Sequence, residues 1–335
     1  MIFNKLRNTF LELTKGLIGM ESRVETLKSY LAIESNDVRM IGIWGTGGMG
    51  KTTLAGVVYR MVSNKFDACC FIENIREESK KHGLHKIQQI LLRKLLNYRD
   101  LEVDNVHDGV LMIKSRLCKK KILLVLDDVN DLKHLENLAG ERCWFGSGSR
   151  IMITTRDRHL LGLCEVEIYE AEVLNHEEAL QLFSLKALKM DHPTEDYGKL
   201  SQAFVDYCKG LPLALEVLGS SLYDRSIGEW ESKLGRLTKF CDGEILSVLR
   251  ISYDELEQPD KEIFLHIACF FNHMNQDDVI KFLGYLGPCP RFGLAVLRDK
   301  SLIKLHENQL WMHDLLQDMG QHIVCDCQDP EVRSR

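Results

Sequence analysis

The chain has 335 residues, 45% of them hydrophobic and 27% charged, which excludes a disordered chain and leaves length for two or three domains. Its net charge of -6 gives no general attraction to nucleic acid or anionic membrane. The 11 cysteines are scattered without a C-x-x-C pair and read as reduced thiols, and the 6 prolines favour a helix-rich chain.

The opening MIFNKLRNTFLEL alternates charged and apolar residues, so it is neither a signal peptide nor a membrane span. A cytoplasmic or nuclear protein is expected. Residues 4–13 have helical spacing through Leu6, Phe10 and Leu13, too short for a domain. Residues 1–16 therefore read as a linker remnant of a preceding domain in a longer protein. A loop and an amphipathic helix follow, with Leu17, Ile18, Val24, Leu27 and Leu31 on its apolar side.

The next stretch, IGIWGTGGMGKTTL, governs the rest. A short apolar strand over 40–44 breaks at Gly45 and runs into G-x-x-x-x-G-K-T, ending Gly50, Lys51 and Thr52. Glycines without a Cβ let backbone N–H groups curl around phosphate oxygens, and the helix that follows aims its positive end at the same anion. Lys51 can reach the β- and γ-phosphates, and the Thr52 hydroxyl can ligate Mg2+.

FDACCFIENI reads as a second buried strand over 66–75, and KIQQILLRKLL as an amphipathic helix over 86–96. KKKILLVLDDVN is a continuous apolar run ending in Asp127 and Asp128, as expected of a central parallel strand. Asp127 can hold the water shell of Mg2+, and Asp128 can orient or deprotonate an attacking water. SGSRIMITTRDRHLL gives a strand over 151–155 with Arg156 at its end. Arg156 either senses a terminal phosphate or is a surface arginine opening a helix. A strand over 166–169 completes five strands alternating with helices, a doubly wound sheet.

From Asn175 the strand pattern stops. Helices fit 175–188, 197–208, 211–222 and 227–239, the first with an Asn175/Glu178 capping box. Gly210 suits a helix C-terminus and Pro212 the first turn of the next helix. That corner is either only a corner or a prolyl ring against a nucleotide base. Helices then fit 244–256, 259–271, 276–284 and 292–299. SLIKLHENQLWMHD alternates as a hairpin with its turn at Glu307 and Asn308, and a helix over 314–324 closes a winged-helix pattern. No Lys or Arg lies between Lys304 and Arg333, while Glu307, Asp314, Asp318 and Asp326 do, so phosphate contact there meets repulsion. His313, taken alone, is no more than a core or surface histidine.

In order, GIWGTGGMGKTTLA, FDACCFIENIRE, KILLVLDDV, GSRIMITTRD, KGLPLALEVLG, FLHIACFF and WMHDLLQDMG resemble the central nucleotide-binding (NB-ARC) region of plant disease-resistance receptors. Asn130 after LDDV and the FLHIACFF segment resemble the subclass with an N-terminal TIR domain. The resemblance implies a P-loop NTPase of the AAA-like STAND class with a five-stranded parallel sheet, followed by an α-helical and a winged-helix domain. The boundaries would be 17–172, 173–242 and 243–327, with a linker over 328–335. It implies ADP at rest, ATP on activation, and Mg2+. Gly48, Gly50, Lys51, Thr52 and Thr53 would lie on phosphates, with Asp127 near Mg2+ and Arg156 a γ-phosphate sensor. Pro212 would lie beside adenine, His313 would contact the ADP β-phosphate, and Ile18 and Gly19 would meet the base through their backbone. Thr46 stands where the family is often apolar, and His266 where it is commonly acidic.

The function this implies is an ADP/ATP switch of an immune receptor. Self-association would follow activation, and the full-length protein would add TIR and leucine-rich-repeat domains. Hydrolysis through Asp128 would be slow. No segment of this sequence resembles a TIR domain, so no NADase activity is expected of it. An AAA-type motor or a DNA-binding initiator-like ATPase with a winged helix is the rival reading.

Overall fold

The structure, a computed structural model, describes residues 14, 16–237, 245–285 and 289–328. The helical spacing at 4–13 and most of the linker expected over 328–335 lie outside them. The chain divides into two compact units, Met1–Glu172 and Val173–Arg335.

The first unit is built on five parallel strands, β1 (Arg39–Trp44), β2 (Ala68–Ile72), β3 (Ile122–Leu126), β4 (Arg150–Thr155) and β5 (Glu167–Glu170), in the order β2-β3-β4-β1-β5. All five residues of β3 are fully buried, because helices cover both faces of the sheet. Side chains alternate across a strand, and β3 shows the consequence. Ile122, Leu124 and Leu126 join one core with Ile151 and Ile153 of β4, while Leu123 and Val125 join the opposite core with Ile41, Ile43 and Met152.

Two helices cover the second face: α1 (Met20–Leu31), through Val24, Leu27 and Leu31, and α2 (Lys51–Val62), through Leu54, Val57 and Val58. The first face is covered by α3 (Ile75–His82), α4 (Leu84–Leu96), α5 (Val106–Leu117), α6 (Leu132–Ala139) and the single turn α7 (Arg158–Gly162). α1 and α4 are legible from periodicity, and α2 from the phosphate-loop motif that precedes it. α3, IREESKKH, buries Ile75 alone, so it carries no apolar stripe to read.

Arg150 opens β4 with a fully buried guanidinium. It donates to the carbonyls of Leu31, Ala32 (2.6 Å), Ser35 (2.9 Å), Asp37 (2.6 Å) and Ser149 (2.8 Å), so one side chain organises the loop from α1 to β1.

The second unit begins with α8 (His176–Ala187), whose Asn175/Glu178 capping box is formed, α9 (Glu195–Cys208), α10 (Pro212–Leu222) and α11 (Ile227–Leu237). Phe183, Phe204 and Tyr197 pack on the buried Trp230 at ring distances of 4.8–5.8 Å. Then come α12 (Ile245–Asp254), α13 (Gln258–His266), α14 (Gln276–Gly284), α15 (Pro290–Asp299), the antiparallel pair β6 (Lys304–His306) and β7 (Gln309–Trp311), and α16 (Asp314–Gln328). The hairpin turns at Glu307 and Asn308, both with positive φ (46° and 64°), as a tight two-residue connection requires. The single helix expected over 259–271 is in fact α13 followed by a wider π turn, Ile267–Phe271. The π turn ends at Asn272, which is buried and bonds both backbone groups of Met312 (3.1 and 2.8 Å). An interaction from a distant segment thus decides the turn, and local spacing cannot reveal it.

Replacing Arg150 with Met strands several buried carbonyls at once. Urea unfolding of the Arg150→Met chain is expected to show a loss of about 3 kcal/mol or more in the first unit.

Candidate functional site

The carboxyl ends of β1, β3 and β4 lie side by side, and in an open α/β sheet that is where ligands bind. After β1 the chain enters the loop 45–50. Gly48 (φ 79°) and Gly50 (φ 83°) hold left-handed conformations there. A Cβ on Gly50 would touch nothing within 4 Å, so glycine is needed there for its conformation rather than for space. Gly50 caps α2 without a side-chain cap hydrogen bond. The first-turn N–H groups of α2 and the helix dipole favour an anion.

Lys51 is buried, 9% exposed, with its Nζ donating to the carbonyls of Gly45 and Thr46, both at 2.8 Å. The ammonium is therefore folded into the loop it follows. Thr52 is exposed and Thr53 half-buried on the first turn of α2. The Thr52 hydroxyl donates to Asp127 Oδ1 at 2.7 Å, and Thr154 of β4 donates to the same oxygen at 2.6 Å. Asp127 is 5% exposed. Burial pushes its carboxyl up to about 6, against the two hydroxyls, and the neighbouring Asp128 adds to the rise.

Asp128 sits in the left-handed region (φ 53°), its N–H donating to Thr154 Oγ1 at 2.9 Å. Its carboxylate meets two guanidinium groups, Arg76 Nε at 2.9 Å and Arg156 Nε at 3.8 Å. The carbonyl of Arg156 accepts from the Trp44 indole at 3.2 Å, which ties the ends of β1 and β4 together. Ile18 and Gly19 are half-buried just before α1, with Gly19 left-handed (φ 71°) and its carbonyl held by Arg23.

A family model described as the NB-ARC domain matches residues 20–193. The chain belongs to the NB-ARC family. A second model, the winged-helix domain of Roq1-like disease resistance proteins, matches residues 257–328. Disease resistance protein RUN1 of Vitis rotundifolia is 44% identical over 325 residues, covering 96% of this chain and 24% of its own length. TMV resistance protein N of Nicotiana glutinosa is 42% identical over 342 residues, covering 100% of this chain and 30% of its own. This chain thus spans about a quarter to a third of the length of these curated relatives. A solved STAND protein with a tetratricopeptide repeat sensor, from Pyrococcus horikoshii, shares the fold with a TM-score of 0.51 at 19% identity, covering 91% of this chain and 46% of its own. The resemblance read from the motifs and the expected fold class therefore hold.

The NB-ARC chain carries its remaining expected site residues in the second unit. Pro212 is the half-buried first residue of α10. Gly210 before it (φ 71°) admits no Cβ, which would meet the Leu174 carbonyl at 2.3 Å. His313, half-buried, precedes α16. Its carbonyl accepts the N–H groups of Leu316 (2.8 Å) and Gln317 (2.9 Å), and its Nδ1 accepts that of Leu315 at 3.1 Å. With Nδ1 accepting, a neutral ring carries its proton on Nε2. His266 lies among aromatics instead, its ring 6.5 Å from Phe270 and 6.3 Å from Phe271.

The donor set suits a magnesium nucleotide. Thr52 and Asp127 supply two hard oxygens, and Mg2+ ordinarily takes one or two protein ligands with phosphates and waters completing its octahedron. The raised Asp127 carboxyl also indicates a charge that a cation would offset. Among the described residues there is no cluster of three or more His, Cys, Asp or Glu fit to hold a metal by itself.

Sequence reasoning missed two site residues, Thr154 and then Arg76. The signal for Arg76, an arginine directly after the buried strand in ENIRE, is legible only once β2 is known to neighbour β3.

A carboxyl whose folded value is raised from 3.8 to about 6 favours the fold below the lower value. That contribution is lost as pH rises through about 6. Nucleotide-free Asp127→Asn is therefore expected to gain about 2 kcal/mol over the parent at pH 7.5, with the gain shrinking toward pH 4. Thermal melts at the two pH values check this.

Proposed function

We propose that this chain is the ADP/ATP-dependent switch of a plant immune receptor, resting with ADP and signalling when ATP is bound. The observation that carries the reading is the grouping of Lys51, Thr52, Asp127 and Arg156 along one edge of the sheet, with two hydroxyls on one buried carboxylate oxygen. Gly48, Gly50 and the first turn of α2 cradle phosphates, and Lys51 neutralises them. Thr52 and Asp127 would hold Mg2+, which would offset phosphate charge. Ile18, Gly19 and Pro212 address the base.

Switching needs a differential interaction between two states. His313 Nε2–H donates to the β-phosphate of ADP, and Arg156 reads the additional phosphate of ATP. Moving an equilibrium from 1:99 to 99:1 takes about 5.5 kcal/mol, and charge-assisted hydrogen bonds at roughly 1.5–3 kcal/mol each are of the right size. Loss of the ADP-held state exposes a self-association surface, and slow hydrolysis through Asp128 resets the switch. The setting is the cytoplasm or nucleus of the full-length protein with its TIR and leucine-rich-repeat domains. Among the described residues no helix is long and apolar enough to cross a membrane.

Denaturing the purified protein and identifying the released nucleotide tests the reading directly. ADP is the expected product, and a preparation that retains no adenine nucleotide overturns it. Turnover of tens per second would favour a motor instead. Lys51→Arg, which puts a planar fork in place of a compact ammonium, is expected to lower ADP affinity at least tenfold by equilibrium titration. His313→Ala is expected to speed ADP release by about tenfold, the loss of one charge-assisted hydrogen bond, as measured by fluorescent-ADP chase.

A further inference from the structure

The second unit holds a cluster of charged side chains that nucleotide binding does not use. A cavity of about 260 Å3 is lined by Ser221 on α10, Arg225 in the turn that follows, Glu229 and Lys233 on α11, Glu255 just past α12 and Lys300 just past α15. A water takes up about 30 Å3, so the space admits a tetrahedral oxyanion with several waters. Lys233 is 5% exposed and donates to Ser221 Oγ at 2.6 Å and to Glu255 Oε2 at 2.7 Å. Arg225 donates to Glu229 Oε1 at 3.1 Å. These are the two ion pairs of the cavity, and among the described residues Lys300 forms none, with Glu255 and Asp260 acting on it only at longer range. Burial pushes the Lys233 ammonium down to about 8 despite Glu255, and Lys300 and Arg225 add to the fall. Burial lowers Lys300 as well, and Arg225 again works against its charge. Three cations around one cavity, two of them working against burial, are stabilised by an anion among them.

The carboxylates decide which anion. An ionised carboxylate only accepts hydrogen bonds, so it repels an oxyanion without a proton and accepts from one that keeps a hydroxyl. Glu229 is already engaged at Oε2 by the N–H and the hydroxyl of Ser226, both at 2.8 Å, besides Arg225 at Oε1. Glu255 is engaged at Oε2 by Lys233, and among the described residues no donor meets its Oε1. We propose that this cavity is a binding site for inorganic phosphate, held as hydrogen phosphate by Arg225, Lys233 and Lys300, with its P–OH donating to Glu255. Sulfate has the same shape and charge but no proton, so Glu255 rejects it. The bound anion joins α10 and α11 to the ends of α12 and α15 and stabilises the second unit. The site is independent of the ADP/ATP switch.

The test is calorimetric titration of the whole chain with inorganic phosphate or sodium sulfate at pH 7.5 and fixed ionic strength, in excess ADP so that the phosphate loop does not contribute. One saturable phosphate site is expected, with sulfate at least about tenfold weaker. Lys300→Gln and Arg225→Gln are each expected to weaken phosphate about tenfold, the loss of one charge-assisted hydrogen bond, with ADP affinity unchanged. Glu255→Gln, which removes the charge that rejects sulfate, is expected to bring the two anions within about threefold of each other. Heat no greater than sodium chloride gives, a phosphate signal that excess ADP abolishes, or equal binding of sulfate and phosphate by the parent overturns the site. So does phosphate affinity unchanged in Lys300→Gln. If Lys300→Gln does not fold, Arg225→Gln decides, since that side chain is 53% exposed: weaker phosphate binding by a folded variant supports the site, and unchanged binding overturns it.

Discussion

One carboxylate oxygen, Asp127 Oδ1, receives hydroxyl hydrogen bonds from the first turn of α2 and from the end of β4. That shared acceptor fixes the phosphate loop relative to the central strand, although β4 stands between β1 and β3 in the sheet. The arrangement carries an electrostatic cost. A buried carboxylate stabilised by neutral hydroxyls, with a second carboxylate next in sequence, resists ionisation. A fold optimised only for stability would place an amide there. The cost is understandable if the site is completed by a cation from outside the chain.

The adjacent acids have been separated by their surroundings. Asp127 meets hydroxyls and burial, and Asp128 meets two guanidinium groups. Neighbouring carboxylates driven apart in this way ordinarily take different tasks. The separation follows from backbone geometry. Asp128 adopts a left-handed conformation, so the strand's alternation ends at Leu126, and Asp128 turns toward α3.

The sheet was legible because its strands are continuous apolar runs, and the phosphate loop because few other uses call for glycines, lysine and threonine at that spacing. Asp127, Asp128 and Arg156 were legible from their place at strand ends. The helices α3, α6 and α7 were not, since at 5–8 residues they are too short to show a period. Thr154 and Arg76 were hidden for another reason. Each acts on a residue that is distant in sequence, and only strand order brings them together. The π turn at Ile267–Phe271 belongs to the same class, because Asn272 answers to Met312 forty residues on.

Strand polarity separates support from chemistry. At the amino end of β4, Arg150 is fully buried among carbonyls and serves only to hold a loop. Just past the carboxyl end of the same strand, Arg156 is partly exposed beside Asp128. The two arginines stand 6 residues apart at opposite ends of β4, one fixed among carbonyls and the other at the edge where the phosphate loop lies. Lys51 and Arg76 add two more cations at the carboxyl end. Such a cluster of cations at one edge of the sheet favours a polyanion there.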